Sequence, residues 1–216
     1  MSNYVPSFPQ NGRARLFQRG TKQMKDFFQR YSYQSVRLFL NQIAIGLFGF
    51  VLALVAAKMG ENVRLWAYLG IGGFSVLFFL FLQFASTWKV GAEDRVSVDL
   101  GKRKVNLWTP FFIWLLANSI NFILAILIAL GQAFGSGEAT VNYVFGSMGF
   151  IANTIKYIIE GMYTGLYSIE VGGQPLHGYW FMHFLTPLPA LVAIYASYLC
   201  GLKNINFGGL FSSKHK

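Results

Sequence analysis

Charge is what this sequence has least of. Only 12% of its 216 residues are Asp, Glu, Lys or Arg, where ordinary soluble domains carry about 25%. A chain so poor in charge cannot cover a soluble domain's surface, which excludes a water-soluble enzyme or binding module. Cysteine is scarcer still. Cys200 stands alone inside an apolar run, so neither a disulfide frame nor a cysteine metal site is available. Residues 1–35 contain no continuous apolar core ahead of a small-residue cleavage site, and no removable signal peptide is expected.

Catalytic patterns are missing too. The sequence has no HExxH, GxSxG, P-loop, CxxC or dinucleotide glycine motif, and an enzyme is not expected, nor a cofactor or metal. His177 and His183, with Glu170 upstream, are the nearest thing to a ligand group. A spacing of six does not put two ligands on one helical face, so they read as interfacial histidines.

What is present is apolar: 54% of the residues are hydrophobic and 18% aromatic. Four runs, 38–57, 66–86, 110–130 and 179–200, reach the roughly 20 residues that cross a hydrocarbon core. Thr109 and Pro110 suit a helix start, where a hydroxyl accepts a free N–H and proline has none to lose. Gly60, Gly131 and Gly201 follow three of the runs as candidate left-handed stops. Trp66, Trp88, Trp108, Tyr179 and Trp180 fall where amphipathic rings meet the membrane interface.

The cations give the orientation. Arg13, Arg15, Arg19, Lys22, Lys25, Arg30, Arg37, Lys89, Arg95, Lys102, Arg103, Lys104, Lys203, Lys214 and Lys216 fall on one side, and Lys58, Arg64 and Lys156 on the other. Both termini are therefore expected in the cytoplasm. The net charge of +10 is topological in this reading, because the cations flank apolar runs and form no basic domain to receive nucleic acid.

Two further segments are expected to lie along the membrane. Residues 16–37 set Met24, Phe27, Phe28 and Tyr31 on one helical face and Arg19, Lys22, Lys25 and Arg30 on another, an interfacial helix suited to anionic lipid headgroups. In the outer segment 132–178, residues 141–168 repeat apolar side chains at three- and four-residue steps, opposite Asn142, Asn153, Lys156, Glu160 and Thr164. An amphipathic outer helix follows, with Lys156 and Glu160 as an exposed i, i+4 pair of small energetic value. A fifth, polar-faced crossing is the alternative. The loop "GAEDRVSVDLGKRKV" alternates Val96, Val98 and Leu100 with Arg95, Ser97 and Asp99, which suits one short strand and a turn at Gly101.

The fold expected is an all-α integral membrane protein of the bacterial cell membrane, one membrane domain with four transmembrane helices. Residues 1–37 form its basic cytoplasmic segment. No ionisable group falls near the centre of a span, which weakens an ion-coupled pump. Pro187 and Pro189 in "FLTPLPAL" interrupt the last span and free backbone carbonyls.

The polar exception is "LLANSINFIL", which puts Asn118 and Asn121 on one face near the middle of the third span. Gly46, Gly49 and Ala53 form a small-residue stripe on the first span, a natural seat for a polar contact between helices. Two functions fit. A noncatalytic subunit or scaffold of a membrane complex, with a protein partner or a homo-oligomer, uses the asparagines as interhelical glue. The alternative is an oligomeric channel or facilitative transporter, with Asn118, Asn121 and Gln83 along a polar path.

Overall fold

The computed structural model describes residues 10–102, 104–135 and 140–205, with the side chains of 10–24 and 61 outside that description. Arg19 and Lys22 of the expected lipid face lie outside the described side chains for that reason, as do Arg13 and Arg15; Arg103, Lys214 and Lys216 lie outside the described residues. The protein is 82% helical.

The chain divides into two compact units, residues 1–33 and 34–216. Helix α1 is Gln10–Ala56. In the first unit Phe27 meets Phe28 edge-on and lies 4.9 Å from the Tyr31 ring. The Arg30 guanidinium sits 5.6 Å above Tyr31, a cation–π arrangement, while Lys25 is exposed.

In the second unit, α2 is Glu61–Asp99, α3 Thr109–Ala117 and α4 Ser119–Phe134. These are followed by α5, Thr140–Ile159, a 3-10 turn at Gly161–Tyr163 and α6, Thr164–Tyr167. The antiparallel pair β1, Glu170–Val171, and β2, Gln174–Pro175, leads through a second 3-10 turn to α7, Met182–Leu185, and α8, Leu188–Leu202. Among the described residues three helices are long and apolar enough to cross a membrane: Lys25–Ala56, Asn62–Asp99 and Met182–Leu202. The bent pair α3–α4 makes a fourth if it is one span.

Several local expectations are corrected. Helix α2 continues through the stretch read as a strand, and only the left-handed turn at Gly101 (φ 68°) survives of that reading. Gly131 and Gly201 lie inside helices and Gly60 has φ −60°, so none of the three is a left-handed stop. The role of Gly131 and Gly201 is proximity. A Cβ on Gly131 would stand 2.6 Å from Gly149 Cα, and Gly91 and Gly201 allow α2 and α8 the same close approach. Thr109 begins α3 and makes no side-chain cap, so Trp108 occupies the cap position and the proline keeps its place in the first turn.

The largest departure is α5. It runs antiparallel along α4, from Gly146 beside Gly135, through Gly149 beside Gly131, to Lys156 beside Asn121. Leu124 and Ile128 meet Ala152 between those points. The helix expected over 141–168 ends at Ile159, and the 3-10 turn then reverses the chain. The chain turns back beside Asn121, so that α5 and the 3-10 turn form an arm packed along α4.

Candidate functional site

Glycine seats the tip of the arm. A Cβ on Gly46 would fall onto the Ile159 carbonyl, and one on Gly49 would lie 2.7 Å from Met162 Cα. Gly161 fits against the Gly46 carbonyl and Phe50, and Gly165 against Tyr68 of α2. Such contacts need a residue without side-chain bulk on at least one of the two backbones. Gly46 and Gly49 therefore seat the arm's tip.

Beside the tip the α3–α4 pair is broken. Asn118 sits at φ −98°, ψ 8° between α3 and α4, and the two helices bend by 56°. Its Nδ2 donates to the Trp114 carbonyl at 3.0 Å, and Ser119 Oγ donates to Leu116 O at 2.9 Å. Asn and Ser side chains compete for backbone partners in this way and disturb helices where they do. Asn121 Nδ2 donates to Asn118 Oδ1 at 3.0 Å, so the two amides share a face as the spacing requires. Across from them Thr186 and Pro187 join α7 to α8 with helical backbone angles, and Trp114 Nε1 donates to the Pro187 carbonyl at 3.0 Å.

Between these two places lies a charged pair. Lys156 Nζ donates to Glu160 Oε1 at 2.8 Å, with both side chains at 0% exposure. The expectation of an exposed pair is corrected: α5 turns this face onto α4 and away from water. Glu160 Oε2 accepts from Tyr167 OH at 2.6 Å, and Thr186 Oγ1 lies 3.0 Å from both carboxylate oxygens. Lys156 also reaches the Asn121 carbonyl at 3.5 Å. The carboxylate is thus supplied with donors from three elements, the condition under which a buried charge is tolerated.

The histidines join the same cluster. His183, buried, lies with its Nε2 3.2 Å from the His177 carbonyl. A carbonyl only accepts, so Nε2 carries the proton and Nδ1 is a bare lone pair. By the same reasoning His177 Nδ1 donates to the Tyr167 carbonyl at 3.4 Å. The Tyr167 ring is 6.0 Å from His183 and stacks on Tyr157. Three buried polar atoms around the pair lack a protein partner: Asn121 Oδ1, Tyr163 OH and His183 Nδ1. Among the described residues no three of His, Cys, Asp or Glu come together as metal ligands would.

The six residues singled out from the sequence fall in different places. Asn118 and Asn121 are at the cluster, and Gly46 and Gly49 seat the tip of the arm beside it. Ala53 is buried one and two turns further along α1. Gln83 Nε2 donates to the Leu38 carbonyl at 3.2 Å and ties α2 to α1, where Gln34 and Asn41 also reach Ser86. Tyr167 and Thr186 were missed, while Lys156 and Glu160 were read as an exposed pair and His183 as interfacial. A signal was available, because Lys156 and Glu160 are the only charged residues from 140 to 169.

Comparison with known proteins finds no match among family models, curated proteins or solved structures.

Proposed function

We propose that the protein is a small-solute or ion carrier of the bacterial cell membrane, with four crossings, both termini cytoplasmic and the re-entrant arm entering from the outer side. One observation carries this reading. The α3–α4 break, the Thr186–Pro187 junction of α7 and α8 and the end of α5 converge on a buried Lys–Glu pair that this reading puts at mid-depth, joined by the bonds from Thr186 to Glu160 and from Lys156 to Asn121. Ionisable groups at that depth are costly and mark substrate or ion pathways. Discontinuous helices meeting at the midplane are how many transporters expose backbone dipoles to a bound solute. The polar path of this reading runs by Asn118 and Asn121.

Purified protein in liposomes tests the proposal with a panel of labelled ions, amino acids and sugars. Uptake above empty liposomes, lost in Asn121→Leu protein that is still folded, supports it. No uptake of any class from correctly inserted protein counts against it.

A noncatalytic subunit is the second reading, favoured by the complete hydrogen bonding of Glu160, which suits a fixed strut as well as a working site. Mild extraction from native membranes separates the two, since a subunit is recovered with its partner and a self-sufficient carrier without one.

A further inference from the structure

The charged cluster leaves acceptors over. Asn121 and His183 are 0% and 2% exposed, and Asn121 Oδ1 and His183 Nδ1 receive no hydrogen bond. Asn153 Oδ1, one turn before Lys156 on α5, is a third buried oxygen without a donor. None of the three atoms can donate, the His183 proton being committed from Nε2 to the His177 carbonyl. Buried polar atoms are nearly always paired, so three acceptors around one ion pair call for a partner rich in N–H bonds. Beside Asn153 there is room for one. A cavity of about 190 Å³ lies between α4 and α5, with Ile128 and Gly131 on one wall and Gly146, Gly149 and Asn153 on the other. A cavity of about 150 Å³ holds a benzene ring, so this one takes a ligand of about six heavy atoms. Charge sets its kind. Lys156 and Glu160 balance each other, and a singly charged ligand that parted them would leave one without its counter-charge. A zwitterion replaces both halves of the pair at once.

We propose that the carried solute is a small zwitterionic amino acid, of glycine or alanine size, which enters through the α4–α5 cavity and parts the Lys156–Glu160 pair. Its carboxylate takes the Lys156 ammonium. Its own ammonium takes Glu160, and Asn121 Oδ1 and His183 Nδ1 accept the N–H bonds that remain. Without solute the site pairs with itself through the 2.8 Å contact between Lys156 and Glu160. This deepens the carrier reading and rests on it, by naming the solute.

Equilibrium dialysis of the full chain in detergent against labelled glycine and alanine tests it. The expected result is saturable binding that unlabelled alanine displaces. N-acetylglycine, which lacks the ammonium, and ethylamine, which lacks the carboxylate, should displace it at least about a hundredfold less well, because a site built around both charges rejects a ligand lacking one. The double variant Lys156→Met, Glu160→Gln, which leaves no lone charge, should fold and not bind. Should it fail to fold, the competition series on the wild-type chain decides alone. No saturable binding of either amino acid, equal displacement by the singly charged analogues, or undiminished binding in the folded double variant overturns the proposal. Uptake of a sugar or an ion by liposomes whose protein binds no amino acid leaves the carrier and removes this solute. Binding without uptake keeps the site and removes the carrier.

Discussion

The Lys156 ammonium stands 2.8 Å from Glu160 Oε1, one helical turn further on, and neither side chain is exposed. On the surface this i, i+4 pair would contribute a few tenths of a kcal/mol. Buried, each charge depends on the other, because desolvation is offset only while the pair and its hydrogen bonds are intact.

Removing one charge should therefore cost more than removing both. Glu160→Gln or Lys156→Met alone should destabilise the protein by about 3–5 kcal/mol, and the double replacement by apolar residues should recover much of that. Unfolding midpoints of the three variants in detergent check this. Equal, additive losses would show that the pair is not coupled.

Asn121 makes a milder prediction. Its amide bond to Asn118 is the kind of interhelical or intrahelical polar contact that contributes about 0.6 kcal/mol in a membrane. Asn121→Leu should stay folded, with a midpoint close to wild type, even if it abolishes uptake.

Gly161 has no room for a side chain, since a Cβ there would stand 2.6 Å from Phe50 Cβ and press on the Gly46 carbonyl. Gly161→Ala should lower stability by about 1–3 kcal/mol, the usual effect of overpacking. Gly73, which meets nothing within 4 Å, should tolerate alanine and serves as the control.

The re-entrant arm is testable by thiol labelling in a Cys200→Ser background. Cysteines at Val141 and Val171, both exposed, should react with an impermeant reagent from the same side of sealed vesicles. A fifth crossing would put them on opposite sides. Cysteines at Asn118 and Asn121, which are 4% and 0% exposed, should react slowly until Glu160→Gln loosens the cluster.

The apolar helices were legible because the membrane criterion is one of length and composition, and the runs 38–57, 66–86, 110–130 and 179–200 satisfy it on their own. Asn118 and Asn121 were legible as a shared face for the same local reason. The arm was not. Its apolar–polar periodicity is the same whether the polar face meets water or another helix, so Lys156 and Glu160 were assigned to solvent. The glycines at 146, 149, 161 and 165 were the overlooked sign, because a helix lying on a surface has no use for backbone-to-backbone contact. The break at Asn118 depends on side-chain bonds to Trp114 and Asn121, geometry that an apolar run of residues conceals. The lipid-facing role of Lys25 and Arg30 rests on the sequence pattern alone.

The glycine seat also has a consequence for how the chain assembles. The tip of the arm touches α1 at Gly46 and Gly49, α2 at Gly72, and the last span at Thr186. Its receptor does not exist until α1 and α2 are side by side, and its carboxylate is not satisfied until the last span arrives. The arm carries two charges that hydrocarbon will not accept singly. In a bilayer the spanning helices must therefore come first and the arm last, so a chain truncated before Thr186 should insert its early helices yet leave residues 140–167 open to protease.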